Sequence, residues 1–234
     1  DRQKSFYLVS LGCPKNLVDS TGLAMLLERA GYVPADSAEQ ADLLIVNTCA
    51  FIAPAREESL GVLQELAQGK RPGQRLIAAG CYAERSPQEL AAALADIDGF
   101  IGTRRWAEIV PFVAQVESSC PPPLVGRGGG VEPDVPHVAV QGASAYLKIA
   151  DGCDHTCAFC AIPLIKGRAI SRPPTAVLAD ARWLAGRGVQ EIILIAQDTT
   201  AYGCDLGLRE GLAGLLEQLV ATVPEVPWLR LMYA

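Results

Sequence analysis

Six of the eight cysteines fall into two groups of three. The stretch "DGCDHTCAFC", residues 151 to 160, places Cys153, Cys157 and Cys160 within one short segment. The other three, Cys13, Cys49 and Cys81, are far apart in sequence, yet each follows an apolar run: "YLVSLGC", "LLIVNTC" and "RLIAAGC". Closely spaced thiolates hold zinc or iron–sulfur clusters. A structural zinc wants four ligands, and after Cys160 the next cysteine is Cys204. His155 is a possible fourth zinc ligand, but it sits between two of the cysteines, so closing a ring with both is sterically awkward. Three thiolates on a four-iron cluster instead leave one iron open to a substrate or cofactor. A third chemistry, a Cys-x-x-Cys redox pair, could use Cys157 and Cys160, but it leaves Cys153 and the N-terminal three without a role. A single buried cysteine is commonly inert; three at equivalent positions are harder to dismiss.

Those positions depend on the elements around them. Residues 5–117 alternate short apolar runs with amphipathic helical patterns, which argues for parallel strands joined by crossover helices. "FYLVSLG", "DLLIVNT" and "RLIAAG" read as strands. "NLVDSTGLAMLLERAG" reads as a helix with Leu17, Thr21, Ala24 and Leu27 on its apolar face, and Ser86 reads as the N-cap of another. In open parallel sheets, ligands bind at the carboxyl ends of the strands, where Cys13, Cys49 and Cys81 are expected.

Residues 118–142, with "PPPLVGRGGG" at their centre, read as a Pro/Gly linker. From residue 143 to 234 the pattern resumes as β-α-β-α-β, the opening of a barrel or doubly wound sheet. No closing element follows, so the chain is expected to be part of a longer polypeptide. The expected fold class is α/β: a Rossmann-like open parallel sheet, then the first βα units of a TIM-like partial barrel.

Composition narrows the setting. The net charge is −6, which offers no electrostatic footprint for direct nucleic-acid binding. No run approaches the roughly 20 apolar residues of a membrane helix, and "DRQKSFYLVSLG" is too short in apolar residues for a signal peptide. A cytoplasmic setting without membrane contact is expected, where cysteines stay reduced.

The spacing of Cys153, Cys157 and Cys160, with Phe159 before the last, resembles the radical S-adenosylmethionine enzymes. The N-terminal cysteines resemble the auxiliary-cluster domain of the methylthiotransferases within that group, and "GCDHTCAFCAIPLIKGRAISRP" resembles their radical core. "SLGCPKNLVDS" and "AQDTTAYG" are closer to the ribosomal-protein branch than to the transfer RNA branch. The latter has "CQMN" at the first cysteine and "GQNV" where this chain has Ala196, Gln197, Asp198 and Thr199.

The resemblance implies two [4Fe–4S] clusters and S-adenosyl-L-methionine. Cys153, Cys157 and Cys160 would hold the radical cluster, whose open iron takes the cofactor. Cys13, Cys49 and Cys81 would hold the auxiliary cluster, and Gln197 and Asp198 would contact the cofactor's amino acid moiety. The implied reaction is methylthiolation of an aspartate β-carbon in small-subunit ribosomal protein S-twelve, with electrons from a donor such as flavodoxin or ferredoxin. The alternatives are a transfer RNA adenosine methylthiotransferase and a zinc-stabilised module without catalysis. Lys148 is expected to be exposed, Arg168 and Arg172 to meet carboxylates, Tyr202 to pack, and Cys120 and Cys204 to have no part in the chemistry.

Overall fold

The computed structural model describes residues 3–118, 124–125 and 134–234. The chain divides into two compact units, Asp1–Val135 and Pro136–Ala234.

The first unit is built on six parallel strands: β1 (Ser5–Ser10), β2 (Val33–Pro34), β3 (Leu43–Thr48), β4 (Arg75–Gly80), β5 (Gly99–Gly102) and β6 (Leu124–Val125), in the spatial order β2-β1-β3-β4-β5-β6. The central strand β3, "LLIVNT", is buried at every residue, as a strand covered on both faces must be. Its Leu43 and Ile45 join Ile77 of β4 and Ile101 of β5 in one core. Each such side chain contributes about 1.5–3 kcal/mol by leaving water.

The helices of this unit are α1 (Pro14–Arg29), α2 (Ala53–Gln68), α3 (Cys81–Arg85), α4 (Pro87–Ala93) and α5 (Ile109–Ser118). Helix α1 starts with Pro14, which suits a first-turn position where the missing N–H has no intrahelical partner. Its buried face departs from the hydropathy pattern. Asn16, Asp19, Ser20, Leu23 and Leu27 are buried, while Leu17, Thr21 and Ala24 are only half-buried. The first two turns therefore press polar groups toward the sheet. Ser86 precedes α4 but makes no capping hydrogen bond.

The second unit has a four-stranded sheet of order β12-β11-β8-β7, made of β7 (Val138–Gln141), β8 (Ser144–Lys148), β11 (Glu191–Ile195) and β12 (Trp228–Leu231). Strands β8, β11 and β12 are parallel, and β7 is antiparallel to β8. A small antiparallel pair, β9 (Ala150–Asp151) and β10 (Ile170–Ser171), sits beside it. Helices α6 (Ile162–Ile165), α7 (Pro174–Ala185) and α8 (Gly211–Thr222) complete the unit. Leu147, Leu178, Leu184, Ile192, Leu194 and Leu219 share its core. The fold is thus a Rossmann-like parallel sheet followed by βα units of a TIM-like partial barrel.

The expected linker needs correcting at two places. Residues 138–141 form β7, which turns through Gly142 into β8, and residues 124–125 extend the first sheet. Proline and glycine density masked these short strands, which tertiary pairing supports. Most of the linker, with Cys120, lies outside the described residues. Among the described residues no helix is long and apolar enough to cross a membrane.

Candidate functional site

The N-terminal cysteines stand at the carboxyl ends of three adjacent strands. In register, Ser10 of β1 pairs with Asn47 of β3, and Asn47 pairs with Ala79 of β4. Cys13, Cys49 and Cys81 follow that line by three, two and two residues. Cys13 is the N-cap residue of α1, and Cys81 opens the short helix α3, so it lies on a helix turn rather than in a loop. Cys49 and Cys81 each keep 8% of their surface, and Cys13 is half-buried.

Gly12 brings the loop after β1 against Cys49. It has φ +88°, and a Cβ placed there would lie 2.6 Å from Cys49 Cβ and 2.8 Å from its Sγ. Only glycine lets the loop after β1 lie against Cys49. Ser59 Oγ accepts from the Cys49 amide at 3.0 Å and donates to the Cys49 carbonyl at 3.0 Å, clamping this residue to α2. Burial pushes the Cys49 thiol up, opposed by the Phe51 amide and reinforced by the neighbouring Cys13.

In the second unit the cysteines sit on one loop after β9. Cys153 is half-buried, Cys157 is exposed, and Cys160 is half-buried. The Cys153 amide donates to the Gly167 carbonyl at 3.1 Å, and the Cys160 amide to the Cys157 carbonyl at 3.1 Å. Gly152 (φ +80°) is needed here as well, since a Cβ would lie 2.0 Å from the Arg168 carbonyl oxygen. Phe159 is 90% exposed.

Behind the loop lies a charged cluster that the sequence reading missed. Asp151 Oδ2 accepts from Lys148 Nζ at 3.3 Å and Lys166 Nζ at 3.1 Å. Its Oδ1 accepts from Gln197 Nε2 at 2.8 Å and the Gly152 amide at 3.2 Å. Lys148, expected to be exposed, is 2% exposed, because its charge meets Asp151 inside the fold. Burial would raise the Asp151 carboxyl, but the two lysines and the Gln197 hydrogen bond overcome it and hold it below the usual carboxylate range. Strand alternation alone could not identify Lys148 as buried; the nearby Asp151 was the available signal.

An open cleft of about 420 Å³ is lined by Cys153, His155, Arg168, Asp198 and Cys204, among others. Cys204, expected to have no part in the chemistry, is exposed on this wall. His155 Nε2 and Asp198 Oδ2 lie 2.6 Å apart, and Asp198 Oδ1 accepts from the Thr200 hydroxyl at 2.6 Å. Burial would raise the Asp198 carboxyl, but the Thr200 and His155 hydrogen bonds keep it low. Gln197 Oε1 is buried and accepts no hydrogen bond.

Arg168 grips Asp154 through both carboxylate oxygens, at 3.3 and 3.2 Å. Arg172 pairs with Asp180 at 2.8 Å inside the unit, and Tyr202 donates its hydroxyl to the Arg172 carbonyl at 2.7 Å. Both arginines thus meet carboxylates of this chain.

Among the described residues, no three His, Cys, Asp or Glu side chains stand at the spacing of ligands to one ion. Each thiolate of an iron–sulfur cluster binds its own corner iron, so its ligands stand further apart than those of a single zinc. The donor sets suit such a cluster: three thiols at each site, one set largely buried, the other beside a cleft with an unused polar acceptor.

Residues 5–102 match the family described as "Uncharacterized protein family UPF0004". The chain is similar to curated proteins named ribosomal protein uS12 methylthiotransferase RimO. The match is 48% identical with that of Chloroflexus aurantiacus, over 98% of this chain and 54% of the relative. It is 45% with that of Pelotomaculum thermopropionicum (97% and 52%) and 41% with that of Myxococcus xanthus (99% and 48%). The chain spans about half the length of these relatives. Among solved structures it is similar in fold to the radical S-adenosylmethionine methyltransferase TsrM from Kitasatospora setae. There the TM-score is 0.58 at 14% identity, over 97% of this chain and 53% of that one.

Proposed function

We propose that the chain belongs with the radical S-adenosylmethionine methylthiotransferases and carries the two cluster-binding units of an enzyme that methylthiolates an aspartate β-carbon of ribosomal protein uS12. Cys153, Cys157 and Cys160 hold the radical cluster, and Cys13, Cys49 and Cys81 hold the auxiliary one. The observation that carries this reading is the placement of the first triad just past the parallel strands β1, β3 and β4, and of the second on the loop that follows β8 and β9, at the end where such folds bind ligands.

When bound, the clusters and S-adenosylmethionine supply the electron, the radical, the sulfur and the methyl group. The chain's residues bind and orient. Three thiolates in the second unit would hold the cluster and leave it open to the cofactor. The free Gln197 Oε1 is an acceptor suited to the cofactor's ammonium, while Gln197 Nε2 stays fixed on Asp151. Asp198 and His155 form the neighbouring wall of the cleft. In the first unit, burial of Cys49 and Cys81 keeps water from the sulfurs. The electron donor is a small carrier such as flavodoxin or ferredoxin, and the setting is the cytoplasm.

The test is metal content. After anaerobic reconstitution the chain should be brown and carry about eight irons and as much sulfide, four for each cluster. A colourless chain with bound zinc and no sulfide would refute the assignment.

A further inference from the structure

We propose that Asn16 is a positioning residue for the N-terminal thiol triad, its one side-chain amide tying together the segments that carry Cys13 and Cys49 and facing the sulfur of Cys81. This rests on reading that triad as a cluster site.

Asn16 lies in the first turn of α1 and is fully buried, at 0% exposure. Its Nδ2 donates to the Leu11 carbonyl at 3.0 Å and to the Thr48 carbonyl at 2.9 Å. Cys81 Sγ donates to its Oδ1 at 3.4 Å. Leu11 lies two residues before Cys13, and Thr48 directly precedes Cys49. A primary amide has two N–H donors and one carbonyl oxygen. Both donors and the oxygen are committed, one contact to each cysteine-bearing segment.

The two carbonyl acceptors also decide the rotation of the amide. Turning it over would set Oδ1 against two carbonyl oxygens, so Oδ1 must face Cys81. Asn47 meets the backbone of α1 rather than this side-chain amide: its Nδ2 donates to the Asn16 main-chain carbonyl at 2.9 Å and to Ser20 Oγ at 2.8 Å. Asn47 thereby pins helix to strand without a side-chain contact to a cysteine among these bonds.

Metal binding removes the Cys81 thiol proton. The two bonds to Leu11 and Thr48 do not depend on that proton, so they persist in the loaded protein and hold the segments of Cys13 and Cys49 in place. The amide oxygen then directs its negative end at the Cys81 sulfur, which disfavours added negative charge. Removing it should make the cluster easier to reduce.

The experiment uses the full chain with Cys153, Cys157 and Cys160 replaced by Ala, so that only the N-terminal triad binds iron. In this background Asn16→Ala and Asn16→Ser are compared with Asn47→Ala, the second variant at Asn16 standing in should Ala fail to fold. Iron loss to a chelator, the paramagnetic resonance spectrum of the reduced cluster, its midpoint potential and the thermal midpoint are read. Groups that orient metal ligands typically carry 10- to 100-fold in affinity. Iron loss from the Asn16 variants should therefore be about tenfold faster or more, with an altered spectrum and a more positive potential. Asn47→Ala should lower the thermal midpoint and leave spectrum and potential as they were. Unchanged iron retention, spectrum and potential in the Asn16 variants would overturn the proposal, as would equal changes in Asn47→Ala. If the parent background binds no iron at all, it is the cluster reading that fails, and the role of Asn16 falls with it.

Discussion

The two cysteine triads reach strand ends by opposite routes. The N-terminal three are drawn from residues 13 to 81 and owe their alignment to three adjacent strands in register. The other three occupy one loop, residues 153 to 160, and owe their proximity to covalent spacing. Burial follows this difference. Cys49 and Cys81 each keep 8% of their surface, whereas Cys157 and its neighbour Phe159 are exposed. The supports differ too. A neutral amide, Asn16, joins the first triad from within the fold. A charged cluster around Asp151 anchors the base of the second. Converging segments need a shared partner deep between them, while a contiguous loop needs only to be fastened at its ends.

The largest expected effect separates the triads outright. Replacing Cys153, Cys157 and Cys160 with Ala should abolish reductive cleavage of S-adenosylmethionine and leave about half of the iron bound, since on the proposed assignment each cluster has its own thiolates. Replacing Cys13, Cys49 and Cys81 should remove the other half and spare the cleavage. Loss of all iron from either variant would mean a single shared site and end the comparison.

A smaller effect tests the charged anchor. Asp151→Asn leaves Lys148 and Lys166, each 3% exposed at the side chain, facing a neutral amide. Breaking a buried ion pair typically costs 3–5 kcal/mol. Because the Asp151 side chain keeps 30% exposure, a cost of about 3 kcal/mol, the low end of that range, is expected. Urea unfolding should show the loss in hydrogen-exchange protection of Ser144–Lys148, with Leu43–Thr48 of the first unit unaffected. Equal weakening of both strands would show that the anchor is not local.

The smallest effect concerns acid. His137 is 5% exposed in the second unit, and burial, then the charges of Arg172 and Lys148, lower its pKa from 6.5 to about 2. The folded form therefore keeps it neutral, while the unfolded chain takes up a proton below pH 6.5. Its contribution is present in full above that value and is lost as pH falls toward the folded one. Between pH 7 and pH 5 the second unit should lose about 2 kcal/mol on this account. His137→Gln should flatten that slope in urea titrations of the second unit. An unchanged slope would assign the acid sensitivity to other groups.

Much of this was legible without coordinates. The alternation of apolar runs and amphipathic helices announced two α/β units, because parallel strands covered on both faces must be apolar throughout, as "LLIVNT" is. The triad at 153–160 was legible because its spacing is covalent. The N-terminal triad was legible only through the rule that each cysteine follows a strand.

The rest was decided by tertiary structure. Hydropathy sends Asn16, Asp19 and Lys148 to solvent, yet each is buried. A polar group can leave water when it meets a partner; Asn16 finds Leu11 and Thr48, and Lys148 finds Asp151. Strand β7 was hidden for a related reason, since its four residues gain their structure by pairing with β8. Sequence by itself determined which residues could ligate and on which kind of element they sit. The three-dimensional fold decided which polar groups hold them there, because a buried hydrogen bond depends on two segments meeting and is written in neither one alone.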